Sequence, residues 1–121
     1  MNPQPKTKQL IDKLVNNSLH RSYNWNDLSQ HPNSILEIAF KEKTNNLPIF
    51  PFDSYWFEND KHIAGLIHSV NHFEYCIFLF NKKTRLSALN PIDTRSYYRL
   101  KTIIDNQIKE QELLIDDFLD T

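Results

Sequence analysis

Apolar positions recur along this chain with two different periods, and the change of period divides it into three parts. From Pro5 the residues Leu10, Ile11, Leu14, Val15 and Leu19 follow the three-and-four spacing of one helix face. Pro5 suits a first helical turn, because the N–H it lacks is one that a helix start leaves unpaired. A helix is therefore predicted from about Lys6 to Leu19, with Leu10/Leu14 and Ile11/Val15 as its inner stripe, after a short tail at residues 1–4. The stretch from His20 to Pro32 has mixed character. Asn24 or Asn26 can cap a short turn through Asp27, Leu28 and Ser29. His31-Pro32 ends it, since the residue before proline avoids the helical region. Ser34-Ile-Leu-Glu37 has the form of a capping box. A second helix is expected from Ile35 to about Lys43, with Ile35, Ile38 and Ala39 inward and Thr44-Asn45-Asn46 closing it. Pro48 and Pro51 then hold Leu47 to Phe52 extended. That segment is expected to cross a sheet edge and plug it with its Phe residues.

The period changes to two between Ser54 and Leu89. Strands are expected at Ser54–Glu58, Lys61–Val70, His72–Asn81 and Thr84–Leu89, separated by turns at Asn59-Asp60, near Asn71 and at Lys82-Lys83. With a loop at Asn71-His72, Val70 faces Phe73, His68 faces Tyr75, Leu66 faces Ile77 and Ala64 faces Leu79. Ile63, Ile67, Cys76, Phe78 and Phe80 fall on the other side. Both faces are apolar, whereas a sheet with one wet face alternates apolar with polar. The sheet is thus expected either to be covered on both sides or to offer one side as an interaction surface. Gly65 sits mid-strand and points to a bulge or to a close approach by another backbone.

Asn90-Pro91-Ile92-Asp93 is read as the end of the sheet, with Asp93 or Thr94 capping a last helix. Tyr97, Leu100, Ile104, Ile108, Ile115 and Phe118 mark its inner stripe, with Gln111 in the same line. From Thr94 to Leu119 it would be about 39 Å long at 1.5 Å per residue. That exceeds a small sheet, so either a break near Lys109-Glu110 or a protruding C-terminal end is expected. The fold class is α+β: a single domain over residues 1–121, with an antiparallel meander of about four strands flanked by N-terminal helices and a long C-terminal helix.

Composition narrows the chemistry. The 121 residues include one Gly and one Cys. A single glycine excludes the Gly-rich phosphate loops, and no cofactor is expected. One cysteine makes no internal disulfide, no apolar run is long enough to span a bilayer, and MNPQPKTKQL is unlike a secretory signal. These features predict a cytoplasmic protein with no membrane association. The formal net charge is −1, but it is a cancellation. Between Lys82 and Lys109 seven bases (Lys82, Lys83, Arg85, Arg95, Arg99, Lys101, Lys109) oppose Asp93 and Asp105, a local net of +5. After them Glu110, Glu112, Asp116, Asp117 and Asp120 give −5.

Each candidate constellation has a specific weakness. His68, His72 and Cys76 have the spacing of a metal-ligand stripe on a helix, but they lie in strand-like surroundings with a turn between them. Cys76 has no adjacent base to favour a thiolate. His72, Glu74 and Arg85 are the residue types of a small ribonuclease, yet Arg85 lies well along the strand from the other two. Asp53, Glu58 and Asp60 lack a following nuclease pattern. Lys82, Lys83, Arg85, Arg95 and Arg99, with Tyr97 and Tyr98 to stack on bases, make nucleic acid the alternative partner. Acids at a helix C-terminus oppose the macrodipole, a cost that a basic partner would offset. The leading expectation is a non-catalytic protein that binds a basic protein partner through Glu110, Glu112, Asp116, Asp117 and Asp120, with Tyr55 or Trp56 as an aromatic anchor.

The block from Tyr55-Trp-Phe-Glu through Ile63-Ala-Gly-Leu-Ile67, then Phe73-Glu-Tyr-Cys-Ile-Phe-Leu-Phe80 and Arg85-Leu-Ser-Ala-Leu89, resembles a meander of small bacterial proteins, many associated with plasmids or phages. The resemblance covers about 35 residues and implies no activity. It implies a role on mobile elements or in bacterial conflict. With the lack of a catalytic constellation, the sheet apolar on both faces and the acidic C-terminal segment, the expectation becomes an immunity or inhibitor protein that neutralises a basic toxin such as a nuclease.

Overall fold

Five antiparallel strands form one sheet in chain order, and helices lie on both of its faces. The computed structural model describes residues 5–70 and 74–121. In order, the elements are α1 (Pro5–Leu19), β1 (Asn26–Asp27), α2 (Ser34–Thr44), a 3₁₀ turn (Pro51–Asp53), β2 (Tyr55–Glu58), β3 (His62–His68), β4 (Tyr75–Asn81), β5 (Ser87–Pro91) and α3 (Thr94–Leu119). Among the described residues, no helix is long and apolar enough to cross a membrane.

The expected meander is β2 to β5, and β1 is a fifth strand that hydrophobic period did not reveal. It is two polar residues, Asn26 and Asp27, paired with Trp56 and Tyr55. Backbone bonding makes it a strand, and two residues carry no readable alternation. The central register is the expected one: His68 pairs with Tyr75, Leu66 with Ile77 and Ala64 with Leu79. The proposed loop Asn71-His72, and with it the Val70–Phe73 pair, lies outside the described residues. The last strand is shifted from Thr84–Leu89 to Ser87–Pro91. Asn81 accepts from the N–H groups of Lys83 and Thr84, and Arg85 takes a left-handed φ of 60°, so the turn uses more residues. Pro91 continues the strand instead of ending it. β5 is an edge strand, where a missing N–H on the outer side breaks no ladder bond.

Both sheet faces are covered. Tyr55, Phe57, Ala64, Leu66 and Ile77 pack with Ile11, Leu14 and Val15 of α1 and with Tyr97, Leu100 and Ile104 of α3. On the reverse, Ile63, Ile67, Cys76, Phe78 and Phe80 pack with Leu36, Ala39 and Phe40 of α2. Each such Leu, Ile or Phe contributes about 1.5–3 kcal/mol on full burial. Residues Ile35 and Ile38, expected inward, are exposed instead. The inner face of α2 lies one residue later, where Leu36 and the bulky Phe40 meet the sheet, Phe40 edge-on to Phe78 at 5.6 Å. Its cap is Asn33, whose side chain accepts from the Leu36 N–H, and not Ser34. In the segment before β2, Leu47 and Ile49 cover the second face while Phe52 points outward. The expected extended run stops at Phe50: Pro51–Asp53 form the 3₁₀ turn, which carries Phe52 into solvent, while Phe50 lies edge-on to His68 at 4.8 Å, so of the two Phe residues expected to plug the edge only Phe50 packs.

Gly65 keeps β3 in unbroken register with Trp56 and Phe78, so there is no bulge. The close approach comes from a side chain: a Cβ there would lie 3.3 Å from Leu36 Cδ1 and from Ile67 Cγ1 and Cδ1. Gly65→Val should therefore overpack the α2 side of the sheet and destabilise the fold by about 1–3 kcal/mol. Urea unfolding checks it, and a variant as stable as the wild type would refute this account of the glycine.

Candidate interaction surface at the end of α3

The first half of α3 is anchored at several points. Asp93 caps it, accepting from the Ser96 N–H at 2.7 Å. Ser96, through its side chain first and then its backbone, holds the Asp93 carboxyl below the ordinary aspartate value. Tyr97 is buried, stacks on Tyr75 at 4.1 Å and donates its hydroxyl to the Asp53 carbonyl at 2.5 Å. One turn on, Lys101 donates to the Tyr55 hydroxyl (2.8 Å) and to Asp105 (2.9 Å), and Tyr55 donates to Asp105 (2.9 Å). Burial would lower the Lys101 pKa, but its bonds to Tyr55 and Asp105 prevail and raise it. Burial, opposed by Lys101 and reinforced by Asp105, raises the pKa of Tyr55.

Gln107 is the last buried anchor. Its Oε1 accepts from the Trp25 N–H at 2.9 Å and its Nε2 donates to the Tyr23 carbonyl at 2.8 Å. One amide thus satisfies both a donor and an acceptor of the strand-poor segment before β1. Tyr23 and Trp25 close on Phe57, with ring centroids at 4.1 and 4.6 Å. Trp25 Nε1 donates to Ser18 at the end of α1. The sequence reading missed Gln107. Its signal was a polar residue directly before Ile108 within the inner half of an amphipathic pattern.

Beyond Gln107 the helix leaves the fold without a break. Every residue from 109 to 121 is exposed. The expected break at Lys109-Glu110 does not occur, and the expected protruding end does. Its last tie is Arg21 to Glu110 at 2.6 Å, an exposed pair of small energetic weight. Leu114, Ile115, Phe118 and Leu119 are 69, 58, 76 and 72% exposed. At about 100° per residue they prolong the stripe that Tyr97, Leu100 and Ile104 bury. Glu110 and Asp117 border it on one side, Glu112 and Asp116 on the other, and Asp120 lies opposite. Where the stripe leaves the core it forms two shallow clefts with the segment after α1. One of about 230 Å³ lies among Arg21, Asn24, Gln111 and Leu114. The other, of about 140 Å³, lies among Gln30, His31, Glu112 and Ile115.

The candidate residues therefore separate. Glu110, Glu112, Asp116, Asp117 and Asp120 share one projection. Of these only Glu110 forms an ion pair among the described residues. Tyr55 is no surface anchor, because it is buried with its hydroxyl engaged. Trp56 packs on the α2 side and donates its Nε1 to the His31 carbonyl at 2.7 Å, so it too is occupied within the fold. The basic residues do not form one patch. Lys82, Lys83 and Arg85 sit at the β4–β5 turn, and β5, about 17 Å long at 3.4 Å per residue, separates them from Arg95 and Arg99. Lys82 is paired with Glu58 at 3.1 Å and Arg85 lies over the Phe80 ring. Of the two candidate stacking rings, Tyr97 is buried and only Tyr98 is exposed.

The acid–base candidates are dispersed as well. His68 meets Asp53 at 3.3 Å, a pairing that spacing did not suggest. His72 lies outside the described residues, Glu74 is exposed, and Arg85 is at the far end of β4. Glu58 and Asp60 flank the β2–β3 turn, away from Asp53 across the length of β2. His68 and Cys76 occupy opposite sheet faces, because two strands stand where a ligand stripe would need a helix. Burial pushes the Cys76 thiol up to about 12, which removes thiolate chemistry at neutral pH.

No family model, curated protein or solved structure matches this chain.

Two outcomes are expected from the anchors. Gln107→Leu leaves a buried N–H and a part-buried carbonyl without their partner and should lower stability by about 2 kcal/mol, read by urea unfolding. Asp93→Ala should cost about 1 kcal/mol at neutral pH. Because the folded pKa of Asp93 is depressed, that difference is present above its unfolded value and vanishes as pH falls through the folded one. A mutational difference that persists in strong acid would refute the charged cap.

Proposed function

We propose that this chain is a non-catalytic, intracellular binding protein that captures a basic protein through the projecting end of α3, as an immunity protein or inhibitor captures a toxic enzyme such as a nuclease. The observation that carries this reading is the helix end itself: five acids and no base over residues 110–121, held clear of the fold. No basic residue occupies the last turn of α3, where cations would be favoured. The acids therefore oppose the helix dipole, and among the described residues only Glu110 is matched by a base, Arg21. A basic partner would reverse that penalty and be steered toward the tip at long range. The scattered placement of Lys82, Lys83, Arg85, Arg95 and Arg99 favours this reading over nucleic-acid binding.

Reversing Asp116 and Asp117 to Lys separates binding from folding. The double variant should be at least as stable as the wild type, because the new charges suit the helix end. It should lose retention of the basic partner when tagged protein is recovered from its native cell, and lose any inhibition of that partner. Undiminished retention would sink the acidic-tip reading. DNA or RNA binding at low salt that survives the reversal would favour the nucleic-acid alternative.

A further inference from the structure

The apolar stripe at the tip specifies more than charge attraction. Charge alone would need no Leu, Ile or Phe, yet Leu114, Ile115, Phe118 and Leu119 stand exposed in one continuous row. From Leu114 to Leu119 the row spans six residues, or about 9 Å at 1.5 Å per residue, a little under two helical turns. It begins at the clefts beside Gln111, so a segment laid along it would meet the helix on one side and the residues around β1 at its end. We propose that this stripe seats an amphipathic helix of the partner whose apolar face meets Leu114, Ile115, Phe118 and Leu119 and whose flanking positions are Lys or Arg. The proposal deepens the reading above and rests on it: the partner is basic, and the element it contributes is a helix with an apolar face.

Charge complementarity selects this occupant over two others. A second copy of the tip would bring its own five acids against the same acidic borders. An anionic membrane surface would repel those borders for the same reason. A helix with basic flanks instead places opposite charges along both edges of the row, the arrangement that fixes register in paired helices.

Two synthetic peptides test it. One is a leucine–lysine sequence arranged as an amphipathic helix; the other has the same residues in an order with no apolar face. Labelled and titrated with the full chain, the amphipathic peptide should bind at least about tenfold more tightly than the shuffled one, and keep more of its affinity when salt is raised. Leu114→Ser/Phe118→Ser should remove that advantage while leaving the weak, salt-sensitive binding of the shuffled peptide and the circular dichroism spectrum unchanged. Equal binding of the two peptides, or an amphipathic advantage that survives the double substitution, overturns the docked helix but leaves a purely electrostatic capture standing. Binding of neither peptide overturns the basic-partner reading as well. Sedimentation of the wild type as a dimer that Phe118→Ser returns to monomer would assign the stripe to a second copy. Partition of the wild type onto vesicles of mixed phosphatidylcholine and phosphatidylglycerol would assign it to lipid. Either result overturns the proposal.

Discussion

A sheet that is apolar on both faces must be sandwiched, and the rest of this structure follows from how the sandwich is closed. Leu66, Ile77 and Phe57 on one side and Ile67, Cys76 and Phe78 on the other all need cover. A short helix suffices on the second side, where Leu36 reaches down over Gly65. The first side is closed by α1 and the leading half of α3. Strands of seven residues reach about 23 Å. A helix of 26 residues reaches about 39 Å. The mismatch leaves the end of α3 nothing to cover, so the same stripe that is core at Leu100 becomes surface at Phe118.

That geometry gives the small net charge a spatial meaning. The −5 segment is one contiguous projection, while the +5 stretch is broken up by the fold. A β-strand and a turn come between its two groups, and Lys82, Arg85 and Lys101 already serve partners within the chain. Linear charge sums predict a surface only where the chain runs as a single helix. The acidic pole survives folding because α3 is continuous there.

The sequence was most legible where side-chain period had few competitors. The central hairpin register, the two apolar faces, the span of α1 and the outer bounds of α3 all follow from spacing alone, while spacing left open whether α3 breaks near Lys109-Glu110 or runs on as one helix. What was hidden depends on backbone pairing or on size. β1 is two polar residues, recruited by the ladder of β2. Pro91 reads as a break but is harmless on an edge. Two adjacent phases of α2 are both apolar, and the buried one is the phase that carries Phe40, the largest of these side chains, with Leu36 beside it. The candidate surface was half legible: its acids and its overhang follow from composition and length. Tyr55 and Trp56 were placed there wrongly because aromatic strand residues look alike whether they face water or core.

Preorganisation links these points to function. Orienting a projecting segment on contact would subtract from affinity, and an anchor at its base removes part of that cost by fixing its direction in advance. Here the helix enters its free segment directly after Gln107, whose amide is locked at both ends to the backbone of Tyr23 and Trp25. Those residues are clamped in turn on Phe57. The direction of the projection is therefore set by the sheet itself, through three rings and one amide. Four large apolar side chains on that bearing each carry about 1.5–3 kcal/mol of unrealised burial. In the proposed capture, the flanking acids would disfavour pairing of the row with its own copies and would favour a basic partner, although the same charges weaken the isolated helix.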